Sequence, residues 1–247
     1  MKNDSSAIAH NSAYQRHQAL YHAVSKQRWS VFQKRVLQFW NQDGALRTRQ
    51  VFSRHYYLPL LTPLIENTSD SMSVLEVGSG PVCTAQYLGK GNHTYIDPLL
   101  DDFRRLFPGT MPEEASYITT MVEKVELPDA SFDMVLCLDT LSDVHNPELV
   151  LNKVERVLRK NGIFVVSIDV WPSWLARAHF FFSRLLPSLP RFNRLYSYTY
   201  KGFSNSLARH FDIVSQQPLK TRFKWLSFKQ EWFFVCQHQQ AKQHTLK

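Results

Sequence analysis

A glycine loop and two acidic residues follow three successive strand-like segments of the chain. The loop occupies residues 76–80 (EVGSG), and the two acids are Asp97 and Glu123. Glycine permits the positive φ that a sharp strand-to-helix turn requires, and its missing side chain lets a ligand approach the backbone. The first N–H groups of a following helix can bind a carboxylate or a phosphate. Taken alone, the loop is equally compatible with a purely structural turn.

The positions of the two acids extend this interpretation. Asp97 ends the second strand-like segment, 17 residues after Gly80, where an acid can bind a ribose diol through both oxygens. Glu123 follows the third segment, where a carboxylate can accept a hydrogen bond from an adenine amino group. Because parallel strands end at the same edge of a sheet, we expect the loop and both acids to form a nucleoside pocket.

The elements that would position these residues alternate between strand and helix, which is typical of a parallel sheet covered on both faces. We expect helix ends at the Pro108-Gly109 pair and at a left-handed stop at Asn161-Gly162. The predicted strands are 73–77, 93–96, 116–122, 132–138, 163–168, 211–215 and 232–237, and the predicted helices are 82–88, 99–107, 147–159 and 203–210.

Two helical stretches precede this alternation. Apolar residues at spacings of three and four predict a helix over 14–41, and a second helix covers about 46–66, where Pro59 and Pro63 would bend or break it. We therefore divide the chain into an N-terminal helical extension, residues 1–70, that caps the site, and a domain over 71–247.

Four runs carry a resemblance to a known family. They are VLEVGSG (74–80), YIDP (95–98), VEKVELPDASFDMVLCLDTL (122–141) and NPELVLNKVERVLRKNGIFVVSID (146–169). Together they resemble the class I S-adenosylmethionine (SAM)-dependent methyltransferases, especially the methyltransferase type 11 group of ubiquinone/menaquinone-type enzymes. The resemblance covers about residues 73–170. It implies an α/β, Rossmann-like, mostly parallel sheet of seven strands, ordered 3-2-1-4-5-7-6 with strand 7 antiparallel, and a helical insertion after strand 5.

The resemblance also implies roles for individual residues in binding SAM, which leaves as S-adenosylhomocysteine. The expected contacts are Glu76, Gly78, Ser79 and Gly80 at the methionine end, Asp97 and Pro98 at the ribose and adenine, Val122 and Glu123 at the adenine, and Cys137 and Leu138 near the sulfonium. Asp139 is the candidate catalytic residue on the acceptor side, and no metal is expected. His179 and His210 are weaker catalytic candidates.

Two positions depart from the family pattern. The third glycine that relatives often carry is replaced by Val82, and many relatives have histidine where this chain has Asp143. These departures keep open an alternative function, a non-catalytic SAM-binding or partner-scaffolding protein. A nicotinamide oxidoreductase would share the strand–glycine–acid arrangement, but the chain lacks the GxGxxG spacing.

The segment 171–203 is expected to be a lid insertion. Residues 171–201 contain five basic and nine aromatic residues and no acid. Three interpretations remain open: a lid over an aromatic or lipid-like acceptor, an amphipathic segment in peripheral contact with a membrane, or ordinary packing. No RNA-binding module is recognisable, so nucleic acid is not an expected partner. The expected function is methyl transfer to a small-molecule or lipid-linked acceptor.

Composition limits the class of protein. Net charge is +8, and residues 71–147 carry −8 between basic flanks of +5 and +11, which favours the acidic middle as the cofactor region.

The three cysteines show no zinc spacing and are expected to be buried free thiols in a reducing compartment. The first residues lack a signal peptide and no apolar run is long enough for a span, so we expect a cytoplasmic protein, with peripheral contact at the inner face of a membrane left open.

Overall fold

The structure is a computed structural model that describes residues 23–175, 194–219 and 229–239. The helices are α1 (Lys26–Trp40), α2 (Ala45–Phe52), α3 (Leu58–Ile65), α4 (Leu100–Leu106), α5 (Pro147–Val157) and α6 (Tyr200–Leu207), with a π-helical turn at Ser53–Tyr57 and a 3₁₀ turn at Thr84–Leu88. The strands are β1 (Ser73–Val77), β2 (Asn92–Ile96), β3 (Ser116–Ile118), β4 (Phe132–Leu138), β5 (Leu158–Val170), β6 (Phe211–Pro218) and β7 (Gln230–His238).

The seven strands form one sheet in the order β3-β2-β1-β4-β5-β7-β6, which confirms the predicted topology. The pairs from β3 to β5 are parallel, and β7 is antiparallel to both β5 and β6. The direction of strand order reverses between β1 and β4. A crevice opens at such a switch point, beyond the carboxyl ends of the strands, and ligands bind there in open α/β sheets.

Apolar side chains bury both faces of the sheet. On one face, α5 and α6 contribute Val150, Val154 and Phe203 to a core that includes alternate residues of β4 and β5. On the other face, Tyr57 and Leu61 pack with residues of β1 and β7. The three-layer arrangement explains why β4 and the second half of β5 are mostly apolar, since these stretches are buried on both faces, whereas residues 159–161 at the start of β5 are polar and exposed.

The N-terminal helices differ in detail from the predicted ones. The first helix begins at Lys26 because the Ser25 hydroxyl caps it, accepting a hydrogen bond from Arg28 N at 3.2 Å. Residues 14–22 of the predicted helix lie outside the described residues. From Ala45 to Ile65 the chain stays helical through both prolines, with the π-helical turn preceding Pro59. The division at residue 70 remains a prediction, although α3 packs directly on the sheet.

The predicted left-handed stop at Asn161-Gly162 is wrong. Helix α5 ends at Val157, Leu158 is already extended, and β5 runs through the pair, with a register shift opposite Phe132 and Met134. A Cβ at Gly162 would lie 2.8 Å from Leu158 Cδ1 and 2.9 Å from Arg159 O. Glycine is therefore needed for a close approach within an irregular strand rather than for a positive φ.

Two other predicted boundaries were too long. Strand β3 ends at Ile118 instead of 122, because its partner β2 ends at Ile96, directly opposite. The predicted helix over 82–88 is a 3₁₀ turn over Thr84–Leu88. The remaining elements agree with the predictions to within three residues at each end, except for the longer β5.

The cysteines Cys83, Cys137 and Cys236 are buried and free, as predicted. Among the described residues, no helix is long and apolar enough to cross a membrane. Residues 176–193 of the predicted lid, which include His179, lie outside the described part of the chain.

Candidate functional site

A cavity of about 640 Å³ opens at the carboxyl edge of the sheet, beside the switch point between β1 and β4. One part of its wall consists of the glycine loop and the residues that follow β2 and β3. The opposite part consists of α1 and α2 with their aromatic side chains, including Phe32, Phe39, Trp40 and Phe52. A mostly apolar cleft of this size with a few polar groups is typical of a small-molecule site.

Most of the predicted site residues line this cavity. They are Gly78, Ser79, Gly80, Asp97, Pro98, Val122, Glu123, Leu138 and the catalytic candidate Asp139. The structure does not bring Glu76 or Cys137 to the cavity wall. Cys137 is fully buried in the core beneath α5, because alternate residues of β4 point to opposite faces of the sheet.

Glu76 lies behind the glycine loop and does not line the cavity. Its two oxygens accept hydrogen bonds from Thr84 N at 3.0 Å and Ala85 N at 2.8 Å, the first amides of the 3₁₀ turn. Burial raises its pKa to about 7, and the amide hydrogen bonds oppose that rise. Glu76 thus holds the turn that follows the loop, a positioning task that the family resemblance did not indicate.

Both loop glycines have positive φ, +66° at Gly78 and +56° at Gly80. A Cβ at Gly78 would lie 2.1 Å from Thr140 Cγ2, and Thr140 Oγ1 donates to Gly78 O at 3.2 Å. A Cβ at Gly80 would lie 3.3 Å from the Trp40 ring. Thr140 therefore requires glycine at position 78, whereas at position 80 glycine is favoured mainly by the positive φ, since the Trp40 ring would have to move only slightly. Val82, at the usual third glycine position, is buried and does not line the cavity.

The two nucleoside-side acids are held by backbone amides. Asp97 Oδ2 accepts from Gly80 N at 3.1 Å and Oδ1 accepts from Leu99 N at 2.9 Å, so the acid ties β2 to the glycine loop. Burial raises the Asp97 pKa to about 6 against the effect of these bonds. Glu123 Oε1 accepts from Asn146 N at 2.9 Å. Each carboxylate oxygen has a second lone pair, so both acids retain capacity to accept from a ligand.

Opposing charges surround the end of β4. Asp139 Oδ1 accepts from Arg194 Nη2 at 2.6 Å, and its Oδ2 lies 3.7 Å from Arg49 Nη1. Burial disfavours the charged form of Asp139, but the charges of Arg194 and Arg49 outweigh burial and lower its pKa. A carboxylate with a lowered pKa accepts a proton weakly, so Asp139 is better suited to holding the two arginines than to acting as a general base.

A buried hydrogen-bond chain fixes Asp139 from below. Asp139 has φ +58°, and its N–H donates to Ser167 Oγ at 2.9 Å. The Ser167 hydroxyl is 2.9 Å from Tyr57 OH, which in turn donates to Glu231. This chain joins the π-helical turn, β5 and β7 beneath the cavity floor, and it holds a non-glycine residue in the left-handed region.

Several cavity residues were not predicted as site residues. Arg49 and Trp40 are in the N-terminal helices, which were expected to cap the site without any of their residues being named for it. Thr140 and Asp143 follow β4, and Lys229 precedes β7. Arg194 was noted only for its charge. Sequence patterns gave no signal for Lys229, which is far from the loop in sequence.

His210 is not at the cavity: it binds Glu148 Oε1 at 2.8 Å and Glu155 Oε2 at 2.9 Å.

Comparison with known proteins agrees with the arrangement of the site. Residues 75–166 match the family described as "Methyltransferase domain". The chain is 27% identical over 152 residues to a ubiquinone biosynthesis O-methyltransferase of Rickettsia typhi, covering 59% of this chain and 61% of that protein. It is 31% identical over 106 residues to the thiol S-methyltransferase TMT1B of Mus musculus, covering 40% of this chain and 43% of that protein. The chain thus spans less than two thirds of these relatives.

Solved structures share the fold. The 1,6-didemethyltoxoflavin-N1-methyltransferase of Burkholderia thailandensis, crystallised with 1,6-didemethyltoxoflavin and S-adenosylhomocysteine, has a TM-score of 0.60 at 16% identity, over 88% of this chain and 92% of that chain. At this identity the likeness concerns fold alone. Residues 75–166, which carry the glycine loop together with Asp97, Glu123 and Asp139, are thus similar to a methyltransferase domain.

Proposed function

We propose that this chain binds SAM and transfers its methyl group to a hydroxyl or thiol of a small-molecule or lipid-linked acceptor. The observation that carries the proposal is the single cavity that joins the glycine loop, Asp97 and Glu123 to the aromatic wall of α1 and α2. A donor and an acceptor bound in one cleft satisfy the main requirement of direct group transfer, which is the positioning of the two reacting groups.

The half of the cavity beside the glycine loop, where the methyl donor would bind, has suitable chemistry for a nucleoside. Asp97 and Glu123 present carboxylate oxygens toward the space beside Pro98 and Val122, where a ribose and an adenine would find acceptors and apolar contact. The backbone of Gly78 and Gly80 would face the amino-acid end of the ligand. When bound, SAM supplies a methyl group on a positively charged sulfur, which reacts by in-line displacement.

The acceptor half is apolar and aromatic, with charged groups at its base. Phe32, Val36 and Phe39 project from α1, and Arg49 and Lys229 lie at the cavity wall near Asp139. Aromatic walls favour a flat or hydrocarbon-rich acceptor. The relatives are named for O- and S-methylation, which supports a hydroxyl or thiol as the nucleophile.

The alternative, a SAM-binding scaffold without activity, was motivated by Val82 and Asp143. The structure gives it little support, because the replaced glycine is away from the cavity and both cavity glycines keep positive φ. Peripheral membrane contact and the cytoplasmic location remain proposals. A lipid-linked acceptor would favour such contact, and a water-soluble acceptor would not require it.

Two measurements test the proposed function. Calorimetry with SAM and with S-adenosylhomocysteine should give saturable binding at one site per chain. Incubation with methyl-labelled SAM and a cell extract, followed by separation into aqueous and organic phases, should label one phase and so identify a soluble or a lipid-linked acceptor. Absence of SAM binding would overturn the whole proposal. Binding without label transfer in either phase would favour the scaffold.

Asp101→Asn and Asp97→Asn provide a matched pair for these measurements. Asp101 is exposed on α4, where it accepts from Thr119 Oγ1, and its variant should bind SAM as the wild type does. Asp97 faces the cavity, and its variant should bind SAM about 10- to 100-fold more weakly and transfer correspondingly less methyl. Equal behaviour of the two variants would contradict the assignment of the cavity as the donor site.

A further inference from the structure

Two residues that line the cavity each carry a buried polar atom without a hydrogen-bond partner among the described residues. The two atoms are Nε1 of Trp29, on α1, and Oδ1 of Asp143, in the turn after β4. Buried polar groups in native proteins are nearly always paired, so an unpaired atom calls for an explanation. A ligand that both donates and accepts hydrogen bonds would satisfy the two atoms together.

The surroundings of Asp143 orient its carboxylate. Oδ2 accepts from Arg194 Nη1, and the backbone N–H of Asp143 donates to Thr140 O at 2.8 Å. The other charged groups around Arg194 are Asp139 and Asp169, and Asp169 Oδ2 also binds Lys229 Nζ at 2.5 Å. The arginine therefore fixes one oxygen of Asp143, and the other oxygen has no hydrogen-bond partner among the described residues.

The protonation behaviour of Asp143 differs from that of its neighbour Asp139. Burial raises the pKa of Asp143 to about 7, the charge of Arg194 opposes this rise, and the charge of Asp139 adds to it. An acid whose pKa is near the working pH is an effective proton acceptor in catalysis. Asp139, on the same arginine, has a lowered pKa and stays charged.

Trp29 contributes the complementary group. The indole N–H is a donor only, so its partner must be an acceptor atom. Trp29 lines the cavity from the first turns of α1, on the same helix as Phe32 and Val36. A ligand that contacts both Trp29 and Asp143 would bridge α1 and the turn after β4.

We propose that Asp143 is the catalytic base of methyl transfer and that Trp29 orients the acceptor by donating to its second polar atom. This inference rests on the proposed function. Asp143 Oδ1 takes the proton of the hydroxyl or thiol, whose electron pair forms the new bond to the methyl carbon. The electron pair of the broken carbon–sulfur bond stays on sulfur, which becomes a neutral thioether. The acceptor is thus a hydroxyl or thiol compound with a second hydrogen-bond acceptor, such as a catechol.

The experiment uses catechol and phenol as acceptor probes, with methyl-labelled SAM and the full chain. Catechol has a second oxygen for Trp29, whereas phenol does not. Asp143→Asn keeps the shape and an oxygen for Arg194, but it removes the base. We expect kcat with catechol to fall about 100-fold or more and the loss of activity below about pH 7 to disappear, while SAM affinity stays within twofold. Asp143→Glu should restore part of kcat.

Asp139→Asn is the comparison for a merely structural effect, because Asp139 binds the same arginine. It should lower kcat but retain an acid limb, displaced to lower pH because the charge of Asp139 no longer raises the pKa of Asp143. Trp29→Phe should raise KM for catechol about tenfold and leave KM for phenol nearly unchanged.

Four results would overturn the inference. The first is an unchanged acid limb in Asp143→Asn, and the second is an equal loss of activity in Asp143→Asn and Asp139→Asn without any change in pH profile. The third is equal sensitivity of both probes to Trp29→Phe. Failure of the wild type to methylate either probe despite binding SAM would also overturn the inference. Failure of the wild type to bind SAM is a separate result, which would show that the proposed function itself is wrong.

Discussion

Arg194 Nη2 donates a hydrogen bond to Asp139 Oδ1 at 2.6 Å, and this contact ties the chain after β5 to the end of β4. The same guanidinium donates through Nη1 to Asp139 O at 3.2 Å and to Asp143, and it lies 3.9 Å from Asp169. Arg194 therefore balances three carboxylates at one wall of the cavity. The segment that was predicted to form a lid contributes a structural cation to the site.

Replacing this cation should destabilise the fold. Arg194→Met leaves Asp139, Asp143 and Asp169 with less positive charge around them, and removing one partner of a buried ion pair costs about 3 kcal/mol. Urea unfolding at pH 7.5 should show this loss. Arg105→Met is the matched control, because Arg105 is 77% exposed and pairs with Asp102 on the surface. If Arg194→Met were as stable as the control, the stability of the fold would not depend on the ion pairs of Arg194.

The glycine loop allows a second comparison, between two glycines with similar φ. Gly78 and Gly89 have φ +66° and +73°, but an added Cβ meets Thr140 at 2.1 Å in the first and nothing within 4 Å in the second. Gly89→Ala should cost about 1 kcal/mol from backbone strain alone. Gly78→Ala should cost more and should also weaken SAM binding, since Thr140 must move.

Thermal unfolding and calorimetry of the two alanine variants would measure this difference. Thr140→Ala combined with Gly78→Ala should recover part of the stability, because the nearest contacting atoms, Thr140 Cγ2 and Oγ1, are then absent. Equal losses in Gly78→Ala and Gly89→Ala would show that the approach of Thr140 is unimportant and that only φ matters.

The sheet order and the donor half of the cavity were predictable because their signals are local. Gly78 and Asp97 directly follow their strands, and Glu123 comes five residues after the end of β3. The carboxyl ends of parallel strands lie at the same edge of the sheet. The ion pairs that Arg194 makes with Asp139, Asp143 and Asp169 were not predictable in this way. Arg194 and Asp139 are 55 residues apart, and nothing in a basic, aromatic segment indicates which carboxylate it will meet.

The direction in which a strand's side chains point was also not predictable from the sequence. Glu76 and Cys137 are in strands that end at the cavity, yet Glu76 is held by the amides of Thr84 and Ala85, and Cys137 faces the core. At Asn161-Gly162, a turn-forming pair became an irregular strand because pairing of β5 with β4 dominated over local preference. Tertiary contacts decided both outcomes.

His210 should stabilise the protein in a pH-dependent manner. Burial lowers its pKa, but hydrogen bonds to Glu148 and Glu155 dominate and raise it from 6.5 to about 9. A histidine with a raised folded-state pKa stabilises fully below pH 6.5, and this contribution is lost as the pH rises through 9. His210→Gln should therefore be less stable by about 2 kcal/mol at pH 6 and equal to wild type near pH 10.

Urea unfolding of wild type and variant across this pH range would measure the effect. The control is His55→Gln, since His55 is exposed on the π-helical turn. A stability difference for His210→Gln that does not change with pH would show that the imidazole acts through packing rather than through charge.

Asp97 should make SAM affinity depend on pH. Its burial raises the carboxyl pKa to about 6, so the group is charged and can accept from a ribose hydroxyl at pH 8, whereas it is mostly protonated at pH 5. Wild-type affinity measured by calorimetry should therefore fall as the pH drops below 6. Asp97→Asn should weaken binding about 10- to 100-fold at pH 8 and show little further change at pH 5. Retention of the wild-type pH dependence in Asp97→Asn would assign the titration to another group.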